Sequence, residues 1–251
     1  MTPQDVKTSD MALLRAVAAA ALKTLGLLRL SSQPSASRQI PADFIGVNVA
    51  PADDPDVRSY TLDRLSELGI RQVRLDFTYG SAEGPAGTYL EELLAAGHEV
   101  LLNVFPSRED ARRMNDSPAA RERFATLARS TFERFAGRVA VFEIGNTPNR
   151  GKWSGFSSRS FLSAWSAAAA QAGATGVRLA GPNVSDFEPL FNGTYLRLMA
   201  RSPAAPDIHT DNLFVERVIE PEALDHRVMG RLFARPMALN LVKIARILEA
   251  L

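Results

Sequence analysis

The chain of 251 residues is predicted to fold as an α/β protein of the (β/α)8 TIM-barrel type, incomplete at about six strand–helix units and with an extra amino-terminal helix. From Pro41 onward, short apolar runs alternate with longer segments of helical periodicity, which is typical of a sheet covered by helices. The strand segments are apolar on both faces, which favours parallel pairing. Neither a Gly-x-Gly-x-x-Gly turn nor a Gly-Lys-Ser/Thr loop is present, so an open nucleotide-binding sheet is disfavoured.

Residues 1–38 are predicted to form an amphipathic helix and a linker, ahead of a barrel domain at residues 39–251. Asp10 is a candidate N-cap for an Ala- and Leu-rich helix over Met11–Leu30. The Ser, Gln and Pro content of Ser31–Arg38 is typical of a linker.

The amino-terminal helix is predicted to have a narrow basic face made of Arg15, Lys23 and Arg29. Lys23 interrupts the apolar run, which argues against a transmembrane span, and the acidic residues before it argue against a secretory signal. We therefore expect the helix to pack on its own domain or on a protein partner. Peripheral membrane contact through residues 11–30 is the alternative to the cytoplasmic location that the absence of cysteine fits.

The predicted elements of the barrel domain follow one another in strand–helix order. The strands are Phe44–Val49, Ile70–Phe77, Glu99–Phe105, Val139–Gly145, Val177–Gly181 and a weaker Asp207–Leu213. The helical segments are Pro55–Leu68, Tyr89–Ala96, Arg108–Phe135, Phe161–Ala172, Glu188–Ala200, Pro221–Phe233 and Pro236–Ala250. Gly97 and Gly173 are expected to end the helices before them, because glycine readily adopts the left-handed conformation of a helix C-terminus. Two units of a complete barrel are missing, so we expect a shortened barrel, a piece of a longer protein, or closure by other elements.

Composition excludes several classes of function. The 29 basic and 28 acidic residues give a net charge of +1, so no overall charge attracts nucleic acid. With no cysteine and three histidines, thiolate chemistry is excluded and there is little material for a metal site. Neither a metal nor a cofactor is expected.

Polar side chains are predicted at the carboxyl ends of the six strands, where the loops of a barrel converge on one face. They are Asn48, Arg74, Asp76, Asn103, Asn146, Thr147, Asn183, His209 and Asp211. Amides, guanidinium groups and carboxylates suit sugar hydroxyls, because each hydroxyl both donates and accepts hydrogen bonds. Trp153, just beyond the fourth strand, offers a flat apolar face for a sugar ring. The predicted partner is therefore a saccharide or polysaccharide.

A purely structural interpretation remains open for the residues of the first strands. Asn48 and Asp76 suit the cap of a following helix or turn. Arg74 suits an ion pair with Glu143 or Asp76. These interpretations and the sugar-binding interpretation differ in the contacts that they predict.

Structural interpretations also remain open for the later residues. Asn183 suits a helix start, and His209 and Asp211 suit the stabilisation of an irregular loop. Trp153 suits core packing. A sugar-binding role requires instead that these side chains reach one common face.

The segment Phe142-Glu-Ile-Gly-Asn-Thr-Pro-Asn149, together with Lys152-Trp-Ser-Gly-Phe156 and Val73-Arg-Leu-Asp-Phe77, resembles retaining glycoside hydrolases of clan A. The nearest branch is family 39 and the related bacterial exopolysaccharide glycosidases, and the resemblance extends from Phe44 to Phe214. It implies that Arg74 supports the catalytic carboxylate and that Asn146 holds the sugar 2-hydroxyl. Thr147 then stands where the family has its general acid. The family's nucleophilic Glu comes from a seventh strand, which is absent from the predicted elements.

The threonine at position 147 determines the function that the resemblance predicts. Retaining hydrolysis needs two carboxyl groups about 5–5.5 Å apart, one to donate a proton and one to attack the sugar. A threonine hydroxyl releases no proton near neutral pH, and loss of a general acid costs about 10²–10⁴ in rate. The predicted function is a glycoside hydrolase-like pseudoenzyme that binds carbohydrate in bacterial polysaccharide metabolism, with impaired or no hydrolase activity.

Two alternatives remain open. The first is an active glycosidase that hydrolyses O-glycosidic bonds with an unconventional acid, for which Asp76, Asp211 and Glu216 are candidates. The second is a non-catalytic scaffold that binds protein partners through its first helix and its carboxyl-terminal helices.

Overall fold

The sheet of the barrel domain has six parallel strands in the order β1-β2-β3-β4-β5-β6, and it curls into a half-barrel. The computed structural model describes residues 9–27, 44–186, 188–212, 225–226, 237–238 and 241–251. The strands are β1 (Gly46–Asn48), β2 (Gln72–Phe77), β3 (Glu99–Val104), β4 (Val141–Ile144), β5 (Leu179–Ser185) and β6 (Ile208–Asn212). The prediction of an incomplete α/β barrel with about six units is confirmed.

Helices follow each of the first five strands, as the alternating pattern predicted. They are α1 (Asp10–Leu27), α2 (Pro55–Glu67), α3 (Pro85–Ala95), α4 (Arg108–Arg113), α5 (Pro118–Phe135), α6 (Gly151–Ser154), α7 (Ser158–Thr175), α8 (Pro189–Met199) and α9 (Leu241–Ala250). Leu75 and Phe142 of the sheet lie in one buried apolar cluster with Phe132 of α5 and Trp165 of α7. The hydrophobic effect of burying this layer holds the helices on the convex face.

Several helices begin at a side-chain cap that the sequence supplies. Asp54 accepts a hydrogen bond from the backbone N–H of Asp56 at 2.9 Å, ahead of α2. Ser157 and Ser160 form a reciprocal capping box at the start of α7. These caps satisfy backbone N–H groups that the first turn of a helix leaves without intrahelical partners.

Side chains of β2 alternate between the two faces of the sheet. Val73, Leu75 and Phe77 are buried on the helix side, whereas Arg74 and Asp76 are only half-buried on the concave side. Further strands would cover this concave face in a complete barrel. In the described part of the chain the face stays open, so its polar residues can contact solvent or a ligand.

The prediction for α1 was partly wrong at its start. Ser9, not Asp10, caps the helix, because the Ser9 hydroxyl accepts from the N–H of Ala12 at 3.2 Å. The predicted residues 28–30 of this helix and the linker at residues 31–38 lie outside the described residues.

Helix α1 packs on the domain itself. A Cβ added at Gly193 of α8 would lie 3.1 Å from the Cβ of Ala20, and the ammonium of Lys23 donates to the carbonyl of Leu251 at 2.8 Å. None of the described helices is both long enough and apolar enough to cross a membrane. Peripheral contact through exposed α1 residues such as Leu14 and Leu22 remains a prediction.

Two boundaries differ from the prediction around β5. Helix α7 continues past Gly173 and ends at Gly176, whose φ of +66° supplies the left-handed C-terminal conformation. Strand β5 continues past Gly181 to Ser185, because an irregularity at Asn183 lets the pairing with β6 resume beyond Pro182.

The helical prediction was also wrong at two positions further along the chain. Asp225–His226 (β7) and Met237–Ala238 (β8) form a short antiparallel pair where helices were expected over 221–233 and 236–250. The helix is found at Leu241–Ala250, and the remainder of both predictions, with Glu216, lies outside the described residues.

Candidate functional site

Three polar side chains form one row across the concave face of the half-barrel. The register pairs Asp76 of β2 with Asn103 of β3, and Asn103 with Glu143 of β4. Neighbouring strands lie about 4.8 Å apart, and residues paired in parallel strands point to the same face. Asp76, Asn103 and Glu143 are hereafter called the polar row.

Arg74 links both carboxylates of the polar row. Its Nε donates to Glu143 Oε2 at 2.8 Å, and its Nη1 donates to Asp76 Oδ1 at 2.8 Å. Asn103 Nδ2 donates to the same Asp76 oxygen at 3.0 Å. The ion-pair interpretation of Arg74 is therefore correct for both partners, and Asp76 makes contacts across the sheet. The side chain of Asp76 is 38% exposed and that of Glu143 only 4%, so Asp76 is the carboxylate that a ligand reaches.

Two buried amide atoms have no hydrogen-bonding partner among the described residues: Asn103 Oδ1 in the row and Asn183 Nδ2 on β5. The other amide atom of Asn183, its Oδ1, accepts from Asn212 Nδ2. A buried polar atom without a partner costs about 1–3 kcal/mol. These positions supply an acceptor and a donor, and a ligand hydroxyl that reached either atom would recover this cost.

Asn146 and Thr147 lie half-buried on the turn that follows β4. The turn uses left-handed backbone at Gly145, with φ of +82°, and at Thr147, with φ of +42°. A β-branched residue is unfavourable there, and such a conformation costs about 1–3 kcal/mol. The structure thus places Thr147 at the carboxyl end of β4, in a conformation of the kind that concentrates at binding and active sites.

Gly145→Ala is expected to lower the free energy of unfolding by about 1–3 kcal/mol. The alanine would have to adopt the positive φ of Gly145, and its Cβ would lie 2.9 Å from Cε2 of Phe161. Gly173→Ala is the matched control, because no atom lies within 4 Å of its Cβ and α7 runs through it. The control should gain about 0.4–1 kcal/mol in urea denaturation. Equal effects of the two substitutions would contradict the strained turn.

His209 and Asp211 face α8 and not the concave side. His209 Nε2 donates to Asn192 Oδ1 at 2.8 Å, and Asn192 Nδ2 lies 3.5 Å from Asp211 Oδ1. Burial lowers the pKa of His209. Burial also raises the pKa of Asp211 to about 8, an effect that the charges of Asp186 and Glu188 strengthen and the hydrogen bond from Asn192 opposes. The structure does not bring these two residues to the polar row, and their sugar-binding role stays a prediction.

The two remaining predicted residues are exposed. Asn48 lies on the edge strand β1, paired in register with Arg74. Both line a groove of about 380 Å³ that is otherwise lined by residues at the amino ends of the strands, such as Gln72, Glu99 and Arg178, and by no member of the polar row. Trp153 lies on α6 and is 74% exposed, so it does not pack in the core.

Other residues that hold the loops in place were missed at the level of sequence. Tyr79 and Arg123 both donate to Asp110 Oδ2, at 2.8 and 3.0 Å, which joins the segments after β2 and β3. The hydrogen bond from Arg123 lowers the pKa of Asp110, and burial raises that of Tyr79. The side-chain amide of Asn149 pairs with the backbone N–H and C=O of Ser185, at 2.9 and 2.8 Å, which joins the ends of β4 and β5. The one sign of such a role in the sequence is that these residues come after predicted strands.

No protein-family model and no curated protein sequence matches the chain. One solved structure that it resembles is D-psicose 3-epimerase with D-tagatose from Clostridium cellulolyticum H10, at 12% identity and a TM-score of 0.45, over 66% of this chain and 63% of that one. Another is a dipeptide epimerase from Methylococcus capsulatus complexed with Mg ion, at 15% identity and a TM-score of 0.26, over 67% of this chain and 55% of that one. The chain thus spans less than two thirds of either protein. Neither is a glycoside hydrolase, and the resemblance to family 39 stays a prediction.

Proposed function

We propose that the protein binds a saccharide on the concave face of the half-barrel and does not hydrolyse it. The observation that carries the proposal is the polar row, in which Arg74 connects both carboxylates and Asp76 is accessible from the concave face. Its setting in bacterial polysaccharide metabolism rests on the resemblance to family 39 glycosidases.

The hydrogen-bonding groups of the row and of β5 suit sugar hydroxyls. Asp76 offers carboxylate oxygens to solvent, and Asn103 Oδ1 is an acceptor without a partner among the described residues. Asn183 Nδ2 is a donor that also has no partner among the described residues. A hydroxyl satisfies both kinds of group, since it donates one hydrogen bond and accepts two.

The same contacts argue against hydrolysis. Both carboxylates of the row accept hydrogen bonds from Arg74, and a carboxylate in an ion pair is an acceptor, not a proton donor. Burial raises the pKa of Asp211 to about 8, so it holds a proton at neutral pH, but it faces α8. A general acid must lie within hydrogen-bonding reach of the leaving group. The position that the resemblance assigns to the acid holds Thr147.

Calorimetric titration with a panel of bacterial saccharides tests the binding. Asn103→Leu removes the amide while keeping the side-chain volume, and we expect it to weaken binding about tenfold, the equivalent of about 1.4 kcal/mol. Asn115→Ala is the control, since the Asn115 amide donates to Asp116 at the surface and to no other residue that the structure describes. Silence across the panel from folded protein, or unchanged affinity in Asn103→Leu, would contradict the proposal.

Activated aryl glycosides test the absence of hydrolysis, because a good leaving group needs little acid assistance. We expect no turnover above that of the buffer. Turnover that disappears in a single carboxylate variant, such as Asp76→Asn, would favour the alternative of an active glycosidase.

A further inference from the structure

A second polar surface lies beside the carboxyl end of β4. We call residues 150–156 the α6 knob, because they enclose the short helix α6. Trp153 projects from this knob with 74% of its surface exposed, more than any other large apolar residue in the described ranges. A tryptophan exposed to this degree offers a flat apolar face, with an N–H at its edge, on which a ligand ring can stack.

The α6 knob is packed so tightly that two of its glycines have no space for a side chain. A Cβ added at Gly151 would lie 2.6 Å from the carbonyl oxygen of Phe156, and one at Gly155 would lie 2.4 Å from that of Arg108. Gly155 has a φ of +84°, and the buried Phe156 ring packs edge-on against Phe161 at 5.7 Å. The exposed ring therefore stands on a rigid support, which lowers the entropy cost of contacting a ligand.

One cation lies over the exposed ring, and a second contacts the backbone of the α6 knob. The ammonium of Lys152 lies 5.5 Å from the centre of the Trp153 ring, and Arg108 Nη2 donates to the carbonyl of Lys152. In the described part of the chain, neither cation has a carboxylate within ion-pair distance.

The neighbouring cations differ from these two in being paired. Arg150 pairs with Asp186 and Glu188, and Arg113 lies 3.5 Å from Glu109. The flat apolar face is thus placed next to positive charge that no described acidic side chain neutralises. A ligand with a ring and a carboxylate fits both parts.

We propose that the α6 knob recognises an anionic saccharide, with a uronic-acid ring on Trp153 and its carboxylate on Lys152 and Arg108. This inference rests on the proposed saccharide binding and adds the chemical class of the saccharide. Ammonium and guanidinium groups form charge-assisted hydrogen bonds with carboxylates. The net charge of +1 gives no general attraction to polyanions, so the preference is local to the knob.

Calorimetry with galacturonate oligosaccharides tests this inference, in comparison with the same oligosaccharides after reduction of their carboxyl groups to alcohols. We expect the native form to bind about tenfold more tightly at low salt, and we expect Lys152→Glu to abolish that preference. Trp153→Ala should weaken binding of both forms, since it removes the stacking face. Arg129→Glu on α5 is the control, because it makes the same charge change on an exposed side chain whose one hydrogen bond within the described ranges goes to Thr126.

The outcomes separate this inference from the proposed function. If both forms bind equally to the native protein, or if Lys152→Glu keeps the preference, the inference is overturned while saccharide binding stands. A preference that Lys152→Glu abolishes but Asn103→Leu leaves unchanged would support the knob and contradict binding at the polar row. If neither form binds, the inference is overturned, and the panel of neutral saccharides decides the proposed function. Displacement of the oligosaccharide by duplex DNA of equal charge would also overturn the inference, because charge alone would then explain the contact.

Discussion

Arg74→Met is expected to lower the free energy of unfolding by about 3–5 kcal/mol, the largest effect of any single substitution on the concave face. The substitution leaves Glu143, whose side chain is 4% exposed, without its cation. An uncompensated buried charge is unfavourable because the surrounding protein solvates it poorly. Urea denaturation followed by circular dichroism measures the change.

Two comparisons distinguish this effect from a general cost of losing an arginine. Arg71→Met breaks the exposed pair with Glu99 at 3.6 Å and should change stability by less than about 0.5 kcal/mol. In the double variant Arg74→Met/Glu143→Met, most of the loss should be recovered, since apolar residues of similar volume can replace a buried ion pair. A single variant as stable as Arg71→Met, or a double variant less stable than the single one, would contradict the contacts at the row.

Asp211→Asn is expected to stabilise the protein at pH 8 and to have no effect below about pH 4. The pKa of Asp211 is raised to about 8 in the folded protein, mainly by burial, against about 4 in an unfolded chain. The folded state therefore keeps a proton that the unfolded state releases. Stability from this group is complete below pH 4 and falls as the pH rises towards 8, with a limiting slope of about 1.4 kcal/mol per pH unit.

Urea denaturation of both proteins at pH 4, 6 and 8 measures this difference. The variant should lack the slope that the carboxyl group introduces, so its advantage should grow with pH. His209 acts in the opposite sense, because its pKa is lowered by burial and its contribution is lost as the pH falls through that pKa. That contribution is common to both proteins and cancels in the comparison. A stability difference that is constant with pH would contradict the buried position of Asp211.

The sequence alone predicted the alternation of strands and helices as far as β6, because apolar periodicity is a local property. It also predicted that polar residues would meet at one face of the sheet. The polar row could not be predicted without the register of the strands, since Asp76, Asn103 and Glu143 come from three separate segments. A sequence signal for Glu143 did exist: it is a lone charged residue inside an apolar strand.

The positions that sequence reasoning placed differently depend on contacts between distant segments. His209 and Asp211 were expected to face the same side of the sheet as the other strand-end residues. Instead, both contact Asn192, which belongs to α8. The irregular pairing at Asn183 also shifts the alternation along β5, and no local pattern indicates such a shift. Packing was favoured over sugar binding for Trp153, but the side chain is 74% exposed, because sequence composition carries no information about exposure.

The side-chain amide resonances of Asn103 and Asn183, followed by NMR during titration with a bound saccharide, test the central account most directly. If the saccharide binds at the polar row, the Asn103 amide signals should shift, with the same dissociation constant that calorimetry gives, and a shift of the Asn183 signals would extend the contact to β5. No reducing ends should accumulate during the titration. Heat of binding with unmoved Asn103 and Asn183 signals would contradict the proposed site, and release of reducing sugar would contradict binding without hydrolysis.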